Sequence, residues 1–134
     1  MSKGLFARAF KSKAAAPDDL VGAVEAGLER RALDALGLAR RTGDAALGFD
    51  MAKEALTKKR AGVLLTASDA AADGREKLSR LADGVFHHEG FTSAALSAAF
   101  GKDGVKHAAL LKGAAATRFA REAARLDGFR RARS

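Results

Sequence analysis

The run Ala61-Gly62-Val63-Leu64-Leu65-Thr66-Ala67 constrains this chain more than any other stretch. It is apolar at consecutive positions, follows the cations Lys58-Lys59-Arg60 directly, and is stopped by Ser68-Asp69. It is too short for an amphipathic helix and shows no alternation of apolar with polar residues. A short apolar run between turn signals reads as a strand buried on both faces. Such a strand needs a covering layer on each side, which points to helices on both faces of a sheet.

The rest of the chain supplies those layers. Leu20, Val24 and Leu28, then Leu33 and Leu36, recur at helical spacing. They predict a helix from about Asp18 to Arg41, with a break near Gly27. Pro17 suits the first turn, Asp18 and Asp19 favour the positive end of the dipole, and Gly43 suits the C-terminal cap. The short "DAALG" reads as a strand, and "FDMAKEALTKK" as a second helix with Met51, Ala52, Ala55 and Leu56 on its apolar face. "SDAAADGREKLSRLA" holds a turn and a third helix, ending at Gly84. "VFHH" and "KHAALL" read as strands, and "TSAALSAAF" as a short helix stopped by Gly101. "AAATRFAREAARL" reads as a last helix with Phe119, Ala123 and Leu126 on one side. The predicted fold class is α/β: a three-layer α/β/α sandwich with a mixed sheet of about four strands.

A chain of 134 residues fits one domain with extra length at its ends. The predicted organisation is a basic arm over 1–16, a domain over 17–127 and a basic tail over 128–134. With no cysteine there is no disulfide framework and no thiolate chemistry, which suits a reducing, cytoplasmic setting. No apolar run approaches the length of a membrane span, and the start lacks the pattern of a secretory signal. The net charge of +8 points to a polyanionic partner. Residues 1–13 carry +4, and 118–134 carry six Arg against Glu122 and Asp127, again +4. Residues 14–117 then hold 14 basic and 14 acidic side chains, so the body can meet nucleic acid only through a local patch.

Catalytic and metal patterns are thin. His87 and His88 are adjacent on a predicted strand and point to opposite faces, so one faces inward and one faces solvent. Ser68, Ser93 and Ser97 have no His-Asp pattern or nucleophile-elbow frame around them. Asp69 and Asp73 have the chemistry to hold a cation, but such positions more often form turns and caps. "GKDG" at 101–104 is a turn, with no phosphate-loop pattern. No enzyme activity and no cofactor or metal are expected. Arg40-Arg41 and Lys58-Lys59-Arg60 each close a predicted helix, where cations favour the dipole, but three in a row exceed what capping needs. Lys53 lies beside Phe49 near the start of the second helix, a pairing able to hold a phosphate backbone and stack a base.

The segment order resembles the kink-turn-binding ribosomal protein superfamily of the L-seven-Ae type, whose bacterial members include small YlxQ-like proteins. The resemblance covers roughly residues 30–127. It rests on "ALGLARRTGDAALGFDMAKEAL", "AGVLLTASDAAADGREKL" and "FTSAALSAAFG". "KGLFARAFK" resembles the end of a YlxR-like domain, so Met1–Lys13 is read as the remnant of such a domain fused ahead of the fold. The family's RNA signature is a Gly, then Asn-Glu, then a Lys. Here Gly48 matches, while Asp50, Met51 and Glu54 stand at the Asn, Glu and Lys positions. An ionised Asp accepts but does not donate, and Glu54 reverses the charge offered to a phosphate.

The resemblance implies non-catalytic binding of structured RNA linked to the ribosome or to the transcription-translation machinery. The expected surface is Gly48, Phe49, Asp50 and Lys53, flanked by Arg40 and Arg41, with the loop of Gly90, Phe91 and Thr92 nearby. The alternative is a protein-interaction module on the same fold, docking a partner from that machinery through an apolar patch of Met51 and Phe91.

Overall fold

The computed structural model describes residues 17–133, with side chains from residue 20. The basic arm and its likeness to a YlxR-like end lie outside the described residues, and the roles expected of Asp18 and Asp19 rest on side chains outside the described ones. Helix α1 spans Pro17–Arg41, strand β1 Ala45–Leu47, α2 Phe49–Thr57 and β2 Ala61–Thr66. They are followed by α3 Ala72–Leu81, β3 Phe86–His88, α4 Ser93–Phe100, β4 His107–Leu111 and α5 Ala114–Arg133. The strands form one sheet in the order β1-β4-β2-β3. β4 runs antiparallel to β1 and β2, and β3 runs parallel to β2, so the sheet is mixed.

The central apolar run is the inner strand β2, buried on both faces as its sequence requires. Val63 and Leu65 face the helices α1, α4 and α5, packing with Leu36, Leu96, Leu110, Phe119 and Leu126. Leu64 faces α2 and α3 with Ala52, Leu56, Leu78 and Ala109. Together the two faces make the three-layer α/β/α sandwich.

Several local expectations change. α1 passes Gly27 without a break. Met51 is 53% exposed and does not join the apolar face of α2. That face is Ala52, Ala55 and Leu56, and Met51 lies about 100° around the helix from Ala52. His88 turns inward as one of the two histidines must, but His87 is half-buried, with Nε2 3.0 Å from Thr66 Oγ1.

α5 crosses residues 127–128 without interruption. It lies antiparallel against α1, where Arg130 Nε and Nη2 donate to Glu25 and Glu29 at 2.7 and 3.1 Å. Arg133 also bonds Glu25. These arginines hold Glu25 below its usual pKa, chiefly through the Arg130 hydrogen bond. Much of the positive tail is therefore seated on α1.

Candidate nucleic-acid interface

The signature glycine sits where β1 turns into α2. Gly48 has φ 95°, a left-handed conformation that glycine adopts without cost. Its N–H donates to the His107 carbonyl at 2.8 Å, and its own carbonyl accepts from Ala52 N–H at 3.0 Å. With no side chain to cap it, α2 presents the N–H groups of its first turn at a positive dipole end. Asp50 and Lys53 are exposed on that turn.

Phe49 is half-buried and packs edge-on against His107, ring centres 5.7 Å apart. Gly74 at the start of α3 closes the same corner, since a Cβ there would stand 2.9 Å from His107 Nε2. Burial, then Arg75 and Lys106, pull the His107 pKa below its usual value and keep the ring neutral. Arg75 was not singled out by sequence reasoning. Its Nη2 lies 3.2–3.3 Å from the carbonyls of Ala67, Ser68 and Ala70, and its Nε 3.1 Å from Glu89. The guanidinium thus ties the end of β2 to the end of β3. The cue was an Arg one turn into a helix after a strand, too common a pattern to select.

The loop after β3 is fastened to the same end of the sheet. Ser68 N–H donates to the Phe91 carbonyl at 2.9 Å. Asp69 accepts from Ser93 N–H and Oγ at 2.9 and 2.8 Å, and these bonds lower its pKa. Thr92 is exposed and caps α4 through Ala95 N–H. Gly90 must stay small, because a Cβ would stand 2.7 Å from His88 Cε1.

Phe91 is only 3% exposed and lies in the core against His88 and Phe119. Its ring can neither stack a base nor form an apolar patch with exposed Met51. The two also belong to different faces of the sheet: Phe91 packs in the core under α1, α4 and α5, whereas α2 covers the other face. The Gly48 turn and the Gly90 loop share one end of the sheet, one tied to the start of β4 and the other to the end of β2.

Arg40 and Arg41 do not flank Gly48. They precede β1, where the Asp44 carbonyl accepts from Leu111 N–H at the end of β4, whereas Gly48 follows β1 at the start of β4. β1 carries the chain from one end of the sheet to the other. Arg40 Nη1 donates to the Phe100 carbonyl at 2.7 Å, closing α4. Lys106 takes their place as the exposed cation beside the Gly48 turn, next to His107.

Among the described residues no group of three or more His, Asp or Glu side chains is arranged to hold a metal ion, and no helix is long and apolar enough to cross a membrane. Asp73 pairs with Lys77 at 3.2 Å, while Asp69 is engaged by Ser93.

No family model and no curated protein matches the chain. Solved structures do match. A Bacillus halodurans protein of unknown function superposes with TM-score 0.64 at 20% identity, covering 72% of this chain and 97% of that one. A Giardia lamblia 15.5kD RNA binding protein superposes with TM-score 0.62 at 18% identity, covering 77% of this chain and 90% of its own. This chain shares their fold.

Proposed function

We propose that this chain is a non-catalytic RNA-binding protein of the bacterial cytoplasm. Its ligand is structured RNA of the ribosome or the transcription-translation machinery, with a kink-turn as the leading candidate. The observation that carries the reading is the left-handed Gly48 opening an uncapped helix on a fold shared with an RNA-binding protein. The first-turn N–H groups of α2 meet phosphate or base edges, and Lys53 and Lys106 supply charge from either side. Glu54, the reversed signature charge, is met by Lys58 at 2.8 Å, which weakens its repulsion of a phosphate. Phe49 and Phe91 act as supports beneath this surface, and Gly90 and Thr92 shape its far edge.

The test is binding of the full chain to a labelled kink-turn RNA and to a matched plain duplex across a salt series. The unaltered chain should prefer the kink-turn at physiological salt. Lys53→Glu with Lys106→Glu should remove that preference. Equal binding of both RNAs by the unaltered chain would overturn shape recognition. The protein-docking alternative keeps one supporting observation, the exposed Met51 on α2. It requires Met51→Asp to abolish capture of a translation-machinery partner while the double charge swap is tolerated.

A further inference from the structure

The cations that sequence reasoning could not place come together at the end of the sheet away from Gly48. α1 ends there with Arg40 and Arg41, α2 with Lys58, Lys59 and Arg60, and β4 runs into Lys112. Arg60 and Lys112 are joined directly, since the Lys112 N–H donates to the Arg60 carbonyl at 2.8 Å. α5 begins at the same end, and its Arg118 borders a depression with Arg41. Setting Lys58 against its partner Glu54, six cations remain beside three acids, Asp34, Asp44 and Asp83. Asp44 already accepts from Thr42 Oγ1 at 2.7 Å. Around the Gly48 turn and the loop after β3, Lys53, Arg75 and Lys106 stand beside Asp50, Asp69 and Glu89, and farther along that end Arg130 and Arg133 of α5 pair with Glu25 and Glu29. The end opposite the signature glycine therefore carries a positive excess of its own.

The backbone carries a second, independent sign. Lys59 has φ 58° and is the sole non-glycine residue with positive φ among the described residues. Its N–H donates to the Leu56 carbonyl and the Arg60 N–H to the Ala55 carbonyl, the paired bonds of a Schellman cap. Glycine is the ordinary occupant of that position, and α4 ends with Gly101 in the same conformation. Lysine in place of the usual glycine keeps a cation on this turn despite backbone strain. Among the described residues Lys59, Arg41, Lys112 and Arg118 form no ion pair, and the chain has no exposed described Phe with which to stack a base.

We propose that this basic end, built from the C-termini of α1 and α2 and the β4–α5 turn, is a second RNA-contacting surface that binds the phosphate backbone without reading bases. It rests on the chain being an RNA binder but not on the Gly48 turn being the site. The Gly48 end would select shape while the basic end supplies sequence-independent affinity.

The test uses the full chain with a kink-turn RNA and a plain RNA duplex, titrated across salt. Lys59→Gln, Arg60→Gln and Lys112→Gln combined should weaken both RNAs equally and lower the slope of log K against log salt by about two to three. Lys59→Gly alone should weaken both RNAs while raising the melting temperature, an outcome that misfolding cannot produce. An unchanged slope in the triple variant, with Lys53→Glu still harmful, would overturn this surface and leave the Gly48 reading standing. Loss of polyglutamate binding without loss of RNA binding would also overturn it, assigning the end to an acidic protein. If neither set of variants alters RNA affinity, RNA binding by the folded body falls altogether.

Discussion

Replacing Lys59 with glycine should stabilise the protein, although it removes a side chain. A residue with a Cβ at φ 58° suffers crowding against the following carbonyl, worth about 1–2 kcal/mol. Glycine relieves this but gains freedom in the unfolded chain, a loss of about 0.4–1 kcal/mol. Lys59 has no ion pair among the described residues to add to the loss. The net expectation is a gain of about 0.5–1 kcal/mol. Unfolding entropy of about 2.1 cal/mol/K per residue over the 117 residues from 17 to 133 is about 0.25 kcal/mol/K. The melting temperature should therefore rise by about 2–4 °C, read by circular dichroism on the full chain. Gly101→Lys is the mirror experiment. It puts lysine at φ 70° in the matching cap of α4, where Gly101 N–H bonds Ala98 and Lys102 N–H bonds Ser97. That variant should lose about 1 kcal/mol or more. If Lys59→Gly melts at or below the parent while Gly101→Lys is destabilised, strain at Lys59 is not what the turn stores, and the reasoning fails.

Phe91→Ala should cost about 3–5 kcal/mol by chemical denaturation, because the ring is core, and RNA preference measured well below the unfolding midpoint should persist. Gly74→Ala should destabilise by about 1–3 kcal/mol, since the new Cβ meets His107 Nε2, and the His107 resonances should shift most in NMR spectra. Stability should fall with acid. Burial lowers the folded pKa of His88, against a partial opposing pull from Asp127, and burial lowers that of His107. The unfolded chain takes up protons near pH 6.5 while the folded chain resists, so stability is full above about pH 7 and declines below about pH 6.5. His88→Leu should flatten part of that decline in urea titrations at successive pH values, and an unchanged slope would remove His88 from the account.

The local pattern determined the fold class. A consecutive apolar run between turn signals can only be an inner strand or a buried helix, and its brevity chose the strand. Helical spacing and glycine stops then placed five helices and four strands in order, because periodicity and turn chemistry act over a few residues. The junction at Gly48 between a strand and a helix was legible for the same reason, while the weight given to Gly48 itself came from the family resemblance. Side chains whose surroundings come from distant segments were not. Phe91 sits in the polar stretch Glu89-Gly90-Phe91-Thr92, and nothing nearby in sequence shows that Phe119 and His88 enclose it. Sequence reading puts Met51 on the apolar face with Ala52, Ala55 and Leu56, but only those three turn inward, since packing on the sheet selects a narrower stripe. The seat of the arginine tail depended on Glu25 and Glu29, about a hundred residues away along the chain. Which end of the sheet receives Arg40 and Arg41 depended on β1 pairing antiparallel with β4. Sequence alone thus established what each segment is, since that is a local balance of propensity and burial. Only the tertiary structure decided which segments face the same partner, since strand order and direction are set by contacts between residues far apart in the chain.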